Sequence, residues 1–139
     1  MNVLVAYESR RGTTKGAASA IADAARSGGN DVTLKPLVDA SAEDVGRADL
    51  VFLGTWIEGF IFFGVGPARG ALKRISGLPL SGKEVATFCT FAVNPRGSLG
   101  KLRGVLESHG AKVVAERAFN RRRASADAAS FAAEVLPKP

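Results

Sequence analysis

The sequence predicts an α/β fold: a doubly wound, five-stranded parallel sheet in the order 2-1-3-4-5, with helices on both faces. The first observation is a set of five short runs rich in Val, Leu and Phe, several of them apolar without interruption. Strands buried between two layers of helices have this pattern. The second observation is that segments with helical spacing alternate with these runs. No linker interrupts the alternation, so we expect one domain over residues 1–139.

The predicted strands are separated from one another by helices or short helical turns. The apolar runs cover residues 2–7, 31–37, 50–55, 84–91 and 111–119. A capped helical turn is expected at 41–44, and longer helices are expected to begin near Thr13, at Pro67, near Leu99 and at Ser125. Right-handed crossovers then bring three loops, 8–13, 56–66 and 92–97, to the crevice where the winding direction reverses.

Composition favours a soluble cytoplasmic protein that is not an integral membrane protein. The longest apolar run, near residues 60–65, is far shorter than the roughly 20 residues of a membrane helix. Met1 leads directly into the first strand pattern, which predicts no signal peptide. Cys89 is the single cysteine, so an internal disulfide is excluded, and its place in a buried strand predicts an unreactive thiol.

The segment SRRGTTKG connects the first strand to the first helix. Hydroxyl groups of Ser9, Thr13 and Thr14 can donate to an anion, and Gly12 permits a backbone conformation that brings amide groups close to a ligand. The helix start adds free N–H groups and about half a positive charge. This donor set suits a phosphate monoester, although Walker and dinucleotide motifs are absent. The alternative is an ordinary turn with Thr13 as the helix cap.

Aromatic residues follow the third and fourth predicted strands. Trp56 lies just past the third strand, and Phe91 ends the fourth. A phosphate-binding loop with aromatic neighbours suits a ligand that joins a phosphate to a flat ring system. The alternative is that both side chains fill the core, which is the commoner fate of an aromatic residue at a strand end.

At these positions the chain resembles a short-chain flavodoxin. The resemblance covers almost the whole length, through VLVAYESRRGTTKGAASAIA, ADLVFLGTWIEG, and GKEVATFCTF followed by LESHGAKVV. It implies a flavodoxin-like fold, FMN as the cofactor, and a function as an electron carrier between redox partner proteins. The bound flavin supplies the chemistry in such proteins, so no catalytic residue is expected. No metal site is expected either, because His109 and Cys89 have no partners at metal-ligand spacing.

The resemblance also implies which residues bind FMN. The expected set is Ser9, Arg10, Arg11, Gly12, Thr13 and Thr14 in the first loop, Thr55, Trp56, Ile57, Glu58 and Gly59 in the second, and Thr90, Phe91 and Asn94 in the third. Two residues depart from the family pattern. Arg11 replaces a threonine of the first loop, and Ile57 replaces a glycine whose peptide turns over when the flavin is reduced. The third loop has two registers, which place either Phe91 or Asn94 against the ring.

The distribution of charge indicates which kinds of partner the protein can bind. The formal net charge is +6, and residues 59–105 hold seven basic residues but only one acidic residue, Glu84. The third and fourth crossovers turn the same way, so one face of the sheet should carry Arg69, Lys73, Arg74, Lys101 and Arg103. The residues 121–123 form a separate arginine cluster. Without a nucleic-acid recognition motif, a solvated face or an acidic redox partner is favoured over nucleic acid.

The apolar run of Phe60, Ile61, Phe62 and Phe63 stands where flavodoxins commonly have acidic residues. It is interpreted either as core beneath the loop, as a homodimer interface, or as a docking surface for an apolar acceptor such as a quinone. Two alternatives to the electron carrier follow. One is an FMN-dependent quinone or NAD(P)H oxidoreductase, and the other is a flavin-free binding or regulatory module on the same fold.

Overall fold

A computed structural model of the protein describes residues 1–60, 63–95 and 97–137. This part contains six strands: β1 (Asn2–Glu8), β2 (Asp31–Pro36), β3 (Leu50–Phe60), β4 (Phe63–Pro67), β5 (Glu84–Phe91) and β6 (Lys112–Asn120). It contains five α-helices: α1 (Thr13–Ser27), α2 (Ala42–Arg47), α3 (Arg69–Ser76), α4 (Ser98–Ser108) and α5 (Ala124–Val135). A 3-10 turn, Leu37–Asp39, follows β2.

The main sheet has the order β2-β1-β3-β5-β6, and all of these strands are parallel. Because β5 and β6 are the fourth and fifth strands of that sheet, the predicted order and the predicted doubly wound topology are confirmed. The additional strand, β4, pairs antiparallel with the far end of β3. Together β3 and β4 form a hairpin at the carboxyl edge of the sheet.

Helices cover both faces of the sheet because successive strand residues point to opposite sides. Phe52 lies on the face covered by α1 and α5, where it packs with Phe131 at a centroid distance of 6.0 Å. Its neighbour Leu53 lies on the other face, together with Ile75 of α3 and Leu102 of α4. The predicted placement of α3 and α4 on one shared face is therefore correct.

A glycine in β3 makes room for an aromatic ring of β5. Gly54 stands directly opposite Phe88 in the parallel register. A Cβ atom on Gly54 would lie 2.1 Å from Cε2 of Phe88, which is far inside van der Waals contact. The side chain of Phe88, which is fully buried, can cross the strand only because residue 54 has no side chain.

The predicted cap at 41–44 is a capping box. The Ser41 hydroxyl accepts from the Asp44 N–H at 3.1 Å, and the Asp44 carboxylate accepts from the Ser41 N–H at 3.0 Å. Asp44 also pairs with Lys35 of β2 at 2.8 Å. The hydrogen bond from Lys35, followed by that from the Ser41 N–H, lowers the pKa of Asp44 to about 2. This pair joins α2 to the edge strand.

The helix predicted to begin at Pro67 begins at Arg69, and the predicted loop 56–66 is largely a hairpin. Pro67 is the last residue of β4, opposite Ile57. The ladder hydrogen bond at this point comes from the next residue, since the Ala68 N–H donates to the Trp56 carbonyl at 3.1 Å. A proline is tolerated there because its missing N–H is not needed by the ladder.

Candidate functional site

A crevice lies at the carboxyl edge of the sheet, where β1, β3, β5 and β6 end. Its volume is about 250 Å³, close to the lower end of the ~300–1,000 Å³ of small-molecule sites. It is lined by Ser9, Arg10, Arg11, Thr13, Thr14, Trp56, Ile57, Thr90, Phe91, Ala92 and Arg121. Nine of these eleven residues belong to the set predicted from the sequence, and the structure therefore brings the three predicted segments together.

The first loop, residues 9–12, joins β1 to α1 in a conformation that depends on glycine. Gly12 has φ of 91° and is the N-cap residue of α1. A Cβ atom built on it would meet no atom within 4 Å, so the space beside the backbone is open. The Gly12 N–H donates to the Ser9 hydroxyl at 3.1 Å and closes the loop. Thr13 is therefore the first helical residue and not the cap.

The first turn of α1 is an electropositive end. Its N–H groups have no acceptor within the helix, and the helix dipole adds partial positive charge. No acidic side chain lies in this turn, whereas Arg10 and Arg11 precede it. The arrangement can receive an anion on backbone donors.

Two buried hydroxyls tie the first helix to the fourth strand of the main sheet. The Thr14 and Thr90 hydroxyl oxygens lie 2.7 Å apart, and the two residues are 1% and 5% exposed. One of the two hydroxyls donates to the other, which leaves a second hydroxyl hydrogen for an acceptor in the crevice. Thr14 is thus both a structural contact and a candidate donor.

Trp56 lies at the point where β3 leaves the main sheet and enters the hairpin. The guanidinium carbon of Arg10 lies 5.2 Å from the centroid of its ring, in cation–π geometry. The Trp56 carbonyl accepts from the Ala68 N–H at 3.1 Å and from the Thr55 hydroxyl at 3.0 Å. Two hydrogen bonds therefore fix the main chain at Trp56, and the planar guanidinium group of Arg10 contacts its ring.

Two residues predicted for the second loop, Thr55 and Glu58, have other positions. Thr55 is fully buried and uses its hydroxyl within its own strand. The Glu58 carboxylate turns to α3, where it accepts from the backbone N–H of Arg69 at 2.8 Å and from its guanidinium at 3.1 Å. Gly59 follows in β3, and its exposure lies outside what the structure describes. Ile57 does line the crevice, and antiparallel alternation directs its N–H and C=O away from β4.

The third loop places Phe91 and Ala92 in the crevice, whereas Asn94 lies outside the lining and is exposed. Gly12 and Asn94 are thus predicted residues of the first and third loops that do not line it. The chain at Arg121, which sequence reasoning assigned to a separate cluster, is bound here, since its N–H donates to the Phe91 carbonyl at 2.8 Å. Parallel strands end at the same edge of a sheet, so the position directly after β6 could have indicated Arg121.

The basic residues on α3 and α4 are largely paired. Arg69 contacts Glu58, Arg74 contacts Glu8 at 2.7 Å, and Arg103 contacts Glu107 and Glu116. The Lys101 ammonium donates to the Val65 carbonyl. The predicted apolar run 60–63 lies outside the residues whose side chains are described.

Cys89 is fully buried in β5, and burial raises the pKa of its thiol to about 12. In the described ranges 1–60, 63–95 and 97–137, no helix combines the length and the apolar character that a bilayer crossing requires.

A family model described as the flavodoxin domain matches residues 4–116. The chain belongs to the flavodoxin domain family. The predicted family is thereby confirmed, and so is the predicted cofactor, since flavodoxins bind FMN. Electron transfer to redox partner proteins is the function of this family. A search of curated protein sequences found no significant match.

Solved flavodoxins share the fold at low sequence identity. Two-electron reduced flavodoxin from Megasphaera elsdenii is 21% identical, with a TM-score of 0.78 over 96% of this chain and 99% of that one. Flavodoxin 1 from Bacillus cereus is 20% identical, with a TM-score of 0.73 over 99% and 100%. Rubredoxin oxygen:oxidoreductase from Desulfovibrio gigas is 20% identical, with a TM-score of 0.68 over 96% of this chain but 35% of that one.

The crevice residues suit FMN in charge and in residue type. The first turn of α1 has N–H groups that can donate to a phosphate, and the space beside the Gly12 backbone is open. Trp56 and Phe91 offer apolar surfaces beside them. No acidic side chain occurs among the described lining residues, so nothing there repels a phosphate dianion.

Proposed function

We propose that this chain binds FMN in the crevice at the carboxyl edge of its sheet and carries electrons between redox proteins. The observation that supports the proposal best is the adjacency of an anion-binding helix start and Trp56 in one crevice. An FMN molecule has a phosphate at one end and a flat ring system at the other, and both ends find matching groups. FMN, when bound, supplies the capacity to accept and release electrons.

The first loop would hold the phosphate. The backbone N–H groups at the start of α1 and the hydroxyls of Ser9, Thr13 and Thr14 border the same space. Each hydrogen bond to a charged group contributes about 1.5–3 kcal/mol, so a few of them account for most of the selectivity for FMN over riboflavin. Arg11 adds charge at a position where the family usually has a threonine.

The second and third loops would hold the ring. Trp56 offers its ring face, and Phe91 lines the same crevice. The contact of Arg10 with Trp56 shows that a planar group can reach this face from the crevice side. Each aromatic contact contributes roughly 0.5–1.5 kcal/mol beyond area burial, which makes the ring contacts weaker than the phosphate contacts.

The lining favours a carrier over an enzyme. The described lining residues include no His, Cys, Asp, Glu, Lys or Tyr, so no side chain there can act as a general acid or base near neutral pH. Threonine, tryptophan and arginine bind and orient a cofactor instead. An oxidoreductase that protonates its substrate through a side chain needs a group that the described lining does not offer.

Titration of the apoprotein with FMN and with riboflavin tests the proposal. Quenching of flavin fluorescence at one FMN per chain is expected, with riboflavin bound at least about 100-fold more weakly because it lacks the phosphate. Thr14→Val should weaken FMN binding by about 10-fold or more, while Thr33→Val on β2, away from the crevice, should not. No quenching at all would overturn the proposal and favour a flavin-free module. Equal affinity for the two flavins would overturn the assignment of the first loop as the phosphate site.

A further inference from the structure

Two groups of arginines that are distant in the sequence meet at the crevice. Arg10 and Arg11 come from the first loop, and Arg121 comes from the end of β6, yet all three line the same space. Helices α1 and α5, which follow the two arginine segments, pack against each other. The contact is close, since a Cβ atom on Gly16 would lie 3.6 Å from the Ser125 hydroxyl. The arginine rim is defined here as Arg10, Arg11, Arg121, Arg122 and Arg123.

The arginine rim is not neutralised. All five residues are exposed, and within the described part of the chain no carboxylate lies within ion-pair distance of them. The arginines of α3 and α4 differ in this respect, since Arg69, Arg74 and Arg103 each contact a glutamate. Among the described residues, five arginines without a carboxylate partner therefore lie around the crevice, whereas on α3 and α4 only Lys73 and Lys101 lack one.

Exposed arginines without a carboxylate partner among the described residues suit the carboxylates of another protein. The guanidinium group binds a carboxylate through two parallel N–H donors and is more weakly hydrated than an ammonium group. A cluster of one sign also raises the rate of encounter with a partner of the opposite sign by about 10–1,000-fold at low salt. Both effects are directed here at the edge of the sheet where the proposed cofactor binds.

We infer that the arginine rim docks an acidic surface of a redox protein directly over the crevice. This inference rests on the proposed function and deepens it by assigning the docking site and the sign of its charge. Docking at the rim brings the partner's redox centre close to the bound cofactor. One electron then passes from an Fe(II) of the partner, which becomes Fe(III), to the FMN-loaded protein, and no bond forms or breaks.

Fluorescence anisotropy with a labelled acidic [2Fe–2S] ferredoxin tests the docking, first with the apoprotein and then with the FMN-loaded protein. Binding at about 20 mM salt is expected in both forms, with loss of binding at about 500 mM salt. Arg122→Gln/Arg123→Gln should weaken it about 10-fold, while FMN binding stays unchanged because neither residue lines the crevice. The control, Lys73→Gln/Lys112→Gln, removes the same charge at exposed positions away from the rim and should change the affinity less than about twofold.

The rate of electron transfer from the reduced ferredoxin to the FMN-loaded protein, measured by stopped flow, should fall in the rim double variant as its affinity falls. At high salt the rates of all variants should become equal. Equal losses in the two double variants, or no salt-sensitive binding of ferredoxin, would overturn the inference. So would equal binding of basic cytochrome c, or tighter binding of a single-stranded oligonucleotide through the same arginines. Failure of FMN loading would refute the proposed function alone, because the anisotropy assay with the apoprotein still reports the docking.

Discussion

The first loop and the ribbon, which is the hairpin from Trp56 to Pro67, border the same crevice but use their polar groups differently. In the first loop, one internal hydrogen bond joins Gly12 to Ser9, and the helix N–H groups beyond it remain available. In the ribbon, the Trp56 carbonyl has two donors and the Glu58 carboxylate binds α3. The loop is organised to bind a ligand, and the ribbon is organised to hold its own shape.

The largest effect is expected at the base of the ribbon. Gly54→Ala places a Cβ atom 2.1 Å from the Phe88 ring, and because this ring is fully buried, relief requires movement of the core. We expect a loss of about 3 kcal/mol in the free energy of unfolding, measured with denaturant. Gly104→Ala in α4, where a Cβ atom meets nothing within 4 Å, should instead stabilise the protein by about 0.5–1 kcal/mol. Equal stability of the two variants would contradict this packing argument.

Gly12→Ala tests the loop side of the comparison. An alanine at φ of 91° should cost about 1–2 kcal/mol of stability and should also weaken FMN binding, because the donors of the first loop shift. The matched control is Gly29→Ala at the other end of α1, which has φ of 84° and equally open space. It should lose similar stability in denaturant unfolding but keep its affinity for FMN. If both variants keep that affinity, the conformation of the first loop does not govern binding.

The strands were predictable because burial on two faces leaves a visible signature. Runs such as Val3 to Ala6 are apolar at every position, and each is buried in the structure. The crevice followed from topology, since parallel strands end at a shared edge. The ribbon was not predictable in this way. A proline such as Pro67 is tolerated both in an edge strand and in the first turn of a helix, so its sequence position does not distinguish the two.

The missed features of the site depend on contacts between distant segments. Nothing in the sequence around Glu58 shows that its carboxylate reaches the Arg69 N–H. Likewise, Arg121 belongs to the crevice because β6 lies next to β5 and its N–H bonds to Phe91. Residue type and spacing identified which chemistry the crevice holds, while side-chain direction required the packed structure.

Glu58 offers a test of whether the ribbon serves structure alone. Glu58→Ala removes the acceptor for the Arg69 N–H at the start of α3, which should cost about 1 kcal/mol in thermal or denaturant unfolding. Glu58→Gln retains an acceptor oxygen and should lose only about 0.3 kcal/mol of unfolding free energy. The loss is small because the Arg69 side chain is 93% exposed and water screens the ion pair. Neither variant should change FMN affinity. A large loss of affinity in Glu58→Gln would place the carboxylate in the cofactor site.

Arg10 connects the two regions, because it belongs to the first loop and lies over Trp56 of the ribbon. Arg10→Ala should cost no more than about 0.5–1 kcal/mol, the value of an exposed cation–π contact. Trp56 is the single tryptophan of the chain, so intrinsic tryptophan fluorescence reports on the surroundings of this one residue. Removal of the guanidinium exposes the ring to water and should shift its emission to longer wavelength. Arg11→Ala removes an adjacent arginine that lines the same crevice and should leave the emission unchanged. Equal shifts in both variants would mean that Trp56 senses the charge of the loop and not a direct contact, and the two regions would then be coupled only through the field of the arginine rim.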